Sequence, residues 1–109
     1  MVQKTLFTIQ EAITQGNIPV GVNNTNFLIS LIKTEFEDKA ALELLQAHQE
    51  KLSKLYSEFY NPTVDVDEIS IDLQKAMIEH ERMKIAREIY NCINNIVELI
   101  IEHGGGVLG

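Results

Sequence analysis

Between Pro62 and Gly104 the chain carries neither proline nor glycine, and no other feature limits its fold as strongly. A stretch so free of helix breakers reads as one helix from about residue 66 to 103, about 57 Å long at roughly 1.5 Å per residue. A helix of that length needs a long neighbour. The segment before it supplies one, because "NPTVD" (61–65) is a turn in which Pro62 cannot continue a helix and Asn61 readily leaves one. Thr34 and Glu37 have capping-box spacing and mark the start of the first arm. Asp65 or Asp67 can cap the second, with Glu68 favourable in its first turn.

The expected fold class is therefore all-α: a three- or four-helix bundle built on a long antiparallel helical hairpin, about 36–60 and 66–103, with N-terminal helices packed on its far end. Residues 5–15 place Leu6, Ile9 and Ile13 on one side, with Val2 extending the row. Gly16 and Pro19 read as a stop, "NIPVGV" (17–22) as a connector, and Asn24 or Thr25 as the start of a second helix. Residues 1–103 form a single helical domain, and 104–109, "GGGVLG", a flexible Gly-rich tail.

The hairpin arms carry apolar arcs. With 100° per residue, Ala41, Leu44, Leu45, Leu52, Leu55, Tyr56 and Phe59 fall within about 120°, with His48 at the centre. Ile69, Leu73, Ala76, Met77 and Met83 form a similar arc around His80. If the arms pair at equal distances from the turn, Phe59 faces Ile69, Leu55 faces Leu73, Leu52 faces Ala76 and Leu45 faces Met83. That register also sets His48 against His80, the two candidate metal-binding or pH-sensing residues of the chain. A neutral, hydrogen-bonded pair at a bundle interface is the plainer reading, and two ligands are too few for a structural zinc site.

Beyond Met83 the apolar face moves to the other side of the helix. Ile85, Ala86, Ile89, Tyr90, Cys92, Ile93, Ile96, Val97, Leu99, Ile100 and Ile101 fill about 200°, and Ile71 and Ile78 already lie on this later side. Segment 27–36 is similarly wide, so the two should pack together with the N-terminal helix. A second copy of the chain is expected to cover what remains, through an interface of Ile85, Ile89, Cys92, Ile93, Ile96, Leu99 and Ile100. Cys92 shares a heptad line with Ile71, Ile78, Ile85 and Leu99, which marks it as a small core residue rather than a nucleophile.

Composition narrows the function. The formal charge is −7, from 9 Lys and Arg against 16 acids, so neither nucleic acid nor an anionic membrane is an expected partner. Glu58 to Asp72 carries acids without a single Lys or Arg, a docking surface for a basic protein at the hairpin tip. The cluster Arg82, Lys84, Arg87 is flanked by Glu79, Glu81 and Glu88, which favours internal ion pairs there. A single cysteine fits a reducing compartment, and the absence of a leader or a spanning apolar run leads to the expectation of a cytoplasmic protein.

No catalytic or cofactor motif is legible, so no cofactor is expected. The acids after residue 65 depart from a calcium loop at Ile69, Ser70 and Ala76. The expected function is a non-catalytic helical protein–protein interaction or regulatory protein that self-associates as a dimer. Two other readings follow from residue spacing. One is a divalent-metal-dependent helical hydrolase using Glu35, Asp38, Glu98 and Glu102, acids spaced about one turn apart on segments that can meet. The other is a histidine-based sensor using His48 and His80.

Overall fold

A computed structural model describes residues 2–62 and 70–103, and shows four helices and no strand among them. These are α1 (Val2–Gln15), α2 (Ile18–Ile32), α3 (Lys39–Tyr60) and α4 (Ile71–His103), with a 3-10 turn at Lys33–Glu35. α1 packs along α2, α3 packs along α4, and α2 joins the two pairs. The Cα radius of gyration is 16.3 Å, against about 13 Å for a compact domain of this length. The long dimension is 55 Å, and the 33 residues of α4 account for about 50 Å of it.

The first corner is tighter than the sequence suggests. Gly16 takes a left-handed φ of 72°. Its N–H donates to the Ile13 carbonyl at 3.2 Å and that of Asn17 to the Ala12 carbonyl at 2.8 Å, a double closure of α1. Asn17 then serves α2 as well, its Oδ1 accepting from Val20 N at 3.4 Å. Residues 17–22 are thus a helix start rather than a connector. Pro19 sits in the first turn, where its missing N–H has no intrahelical partner to lose.

α3 starts at Lys39, later than the Thr34–Glu37 spacing implies. Phe36 buries its ring with extended backbone (φ −77°, ψ 115°), which breaks any helix running through it. Asp38 is the cap, its Oδ1 accepting from Ala40 N at 3.0 Å and Ala41 N at 3.3 Å. Asp65 and Asp67 lie outside the described residues, as does the tail 104–109. α4 is capped by Ser70, whose Oγ accepts from Leu73 N at 3.3 Å.

The core confirms the hairpin and corrects its register. Ala41, Leu45, Leu52 and Leu55 of α3 are buried, but in α4 the buried side chains begin only at Ile85. The Cys92 thiol donates to the His48 carbonyl at 3.2 Å. His48 therefore lies level with Cys92, which is 12 residues beyond His80, or about 18 Å along the helix axis. α3 chose the face rich in isoleucine. Burying Ile85, Ile89 and Ile96 removes more apolar surface from water than burying Ala76 and Met77, and leaves no imidazole in the interior.

α2 covers the other flank of that face. A side chain at Gly21 would stand 3.6 Å from Ile93 Cδ1, and Val22, Leu28, Ile29 and Ile32 belong to the same core as Ile93, Ile96 and Ile100. The one fully buried hydroxyl of α2, Thr25, is satisfied by the Gly21 carbonyl at 2.7 Å. Gln49 Nε2 donates to Asn26 Oδ1 at 3.3 Å and ties α3 to α2.

Candidate interaction surface

The register leaves the first half of α4 outside the core. Since His48 is level with Cys92, the end of α3 at Tyr60 is level with about His80. Residues 71–79 run past it by about 14 Å. No side chain from Ile71 to Lys84 is buried. Ile71, on the inner side, is 70% exposed, and the outer stripe has Leu73 at 51% and Met83 at 65%. Ala76 and His80 are exposed between them, and Met77 is half-buried. The stripe points outward because it lies roughly opposite the isoleucine face on a helix of 100° per residue.

Charges of both signs stand along this helix. Asp72 and Lys75 lie near its start, and Arg82, Lys84 and Arg87 lie farther along among Glu79, Glu81 and Glu88. Arg82 meets Glu79 at 3.9 Å, with Glu79 exposed and Arg82 half-buried, a long contact worth little. Among the described residues neither Lys84 nor Arg87 makes an ion pair, so the expected internal neutralisation reaches Arg82 alone. His80, Met83, Lys84 and Arg87 line an open cleft of about 270 Å³. Nearby, α3 ends in an aromatic cluster in which Tyr56 and Tyr60 share a 3.2 Å hydroxyl contact and meet edge to face at 5.0 Å. That hydrogen bond, with burial and the charge on Tyr60 adding to it, holds the Tyr56 hydroxyl up to about 12.

The seven residues expected at a dimer interface are all buried inside the single chain. Ile85, Ile89, Cys92, Ile93, Ile96, Leu99 and Ile100 pack with the residues of α2 and α3. The acidic tip lies largely in residues 63–69, outside the described residues, although Glu58 and Asp72 at its ends are exposed.

The four acids of the hydrolase reading are partly brought together. Glu35 is exposed in the 3-10 turn and Glu98 is exposed on α4. Asp38 Oδ2 and Glu102 Oε2 meet the two ring nitrogens of His103, at 3.9 Å and 3.8 Å. His103 carries one signal in the sequence, a basic residue in the last turn of a helix, where the carbonyl ends favour positive charge. Among the described residues no group of three or more His, Cys, Asp or Glu side chains is placed to hold a metal ion. His48 is half-buried and His80 exposed, separated by the shift in register. Burial pushes the Cys92 thiol above its ordinary range, against a smaller opposite pull from Lys51, so it is a poor nucleophile at neutral pH.

The chain matches no family model, no curated protein and no solved structure. No helix among the described residues is long and apolar enough to cross a membrane.

Proposed function

We propose that this is a non-catalytic helical docking protein, which binds a partner helix along the outer stripe of α4 from Leu73 to Met83. One observation carries the proposal: a rigid, continuous helix displays Leu73 and Met83 to solvent while the core uses only its second half. Apolar side chains at helical spacing on a preformed helix suit helix-on-helix recognition, since little ordering cost remains. The same proposal places the protein in the cytoplasm, supported by the lone, buried thiol of Cys92.

Site-specific photo-crosslinking in cells tests this. A crosslinker at position 73 or 83 should give a discrete product, and one at the exposed Gln10 of α1 should give none. Equal labelling at all three positions, or none at any, would contradict the proposal.

A further inference from the structure

We infer that the occupant of this stripe is a second copy of the chain, laid antiparallel on the first with the two-fold axis near His80. The inference rests on the docking reading above and names its partner. Charge complementarity favours this occupant. A parallel pairing sets Asp72 beside Asp72 and the Arg82, Lys84, Arg87 cluster beside itself, and like charges in register repel. Turning one helix end for end about a point between Glu79 and His80 brings Asp72 of each copy beside Arg87 of the other, because the two residues lie equally far from that point. Arg87, which makes no ion pair among the described residues, then gains a carboxylate partner in Asp72 of the other copy.

Side-chain size agrees with this register. The same rotation sets Ala76 of one copy beside Met83 of the other, a small residue against a large one, as interdigitating helices require. The outer face gives the second helix room to approach, since Leu73, Ala76, His80 and Met83 on it are exposed. A contact between two helix stretches of about 20 Å belongs to the smaller class of specific interfaces. Monomer and dimer should therefore exchange with concentration rather than form a permanent pair.

The test is solution mass by light scattering over a wide range of concentration, on the full chain. The expected mass rises from 12.3 kDa toward twice that value on concentration. Leu73→Glu/Met83→Glu should stay monomeric throughout, with unchanged helical circular dichroism because both sites are exposed. Arg87→Glu should weaken association about three- to tenfold, by replacing attraction with repulsion at two exposed pairs. Asp72→Lys/Arg87→Glu should restore it. A wild-type chain that stays monomeric, a dimer indifferent to Leu73→Glu/Met83→Glu, or a double reversal that fails to restore association overturns the inference. If the chain is monomeric but crosslinks at position 83 to a product other than twice its own mass, the self-pairing fails and the docking reading stands. A monomer without a crosslink defeats both.

Discussion

The Cys92 thiol donates to the backbone carbonyl of His48 at 3.2 Å, and this contact marks the height at which α3 lies on α4. It places the interior of the hairpin between Ile85 and Ile100, and releases everything before Ile85 from the core.

The same thiol gives a pH prediction. Burial raises Cys92, so the folded chain holds that proton more tightly than the unfolded chain does. The resulting stability is complete below the unfolded thiol value, about 8.5, and is lost as pH rises through the folded one. Urea midpoints should fall above that pH in the wild type and fall less in Cys92→Ala. In the folded state a thiol reagent should react with Cys92 slowly, at a rate that follows opening of the hairpin.

Asp38 carries the start of α3 through its bonds to Ala40 and Ala41, and its other oxygen faces His103 at 3.9 Å. Asp38→Ala should cost about 1 kcal/mol in urea unfolding. Asp38→Asn should keep most of that, since an amide oxygen caps equally well and the exposed His103 contact contributes little. A large loss in Asp38→Asn would show that the ionic contact dominates.

Two glycines should respond to alanine with opposite signs. At Gly16 the backbone is left-handed (φ 72°), and Gly16→Ala should destabilise by about 1–2 kcal/mol. At Gly21 a new Cβ would lie 3.6 Å from Ile93 Cδ1 and 3.8 Å from Ala12 Cβ, ordinary contact within a helix. Gly21→Ala should stabilise by about 0.5–1 kcal/mol. Denaturation of the two variants side by side checks both signs.

Much of this architecture is legible from local patterns. The turn at Asn61–Pro62, the absence of helix breakers to His103 and the wide apolar arc after Ile85 all point to the hairpin and its second core. Three features are not. Asn17 closes one helix and opens the next, and Ile18-Pro19 reads as extended until Pro19 is seen in a first turn. The register escapes because equal spacing from the turn holds only for a tight connection. A one-helix pattern cannot say which of two apolar faces a neighbour will choose. The heptad line Ile71, Ile78, Ile85, Cys92, Leu99 is plain in the sequence, yet its claim on α3 is settled only by which side chains are buried. The His103 contact with Asp38 is likewise invisible locally, because Asp38 is remote in sequence.

Truncations should follow the same division. Ile96→Ala, at a fully buried position, should cost about 2–5 kcal/mol. Leu73→Ala, measured where the chain is monomeric, should fall within about 0.5 kcal/mol of the wild type. Comparable losses at both positions would place Leu73 in the core.

Amide hydrogen exchange resolved along α4, at a concentration where the chain is monomeric, tests the division most directly. The account predicts a step in protection near Lys84, with residues 71–84 exchanging faster than residues 85–100. Uniform protection from Ile71 to Ile100 would contradict it, because that is the pattern of a hairpin in which Leu73 packs on Leu55.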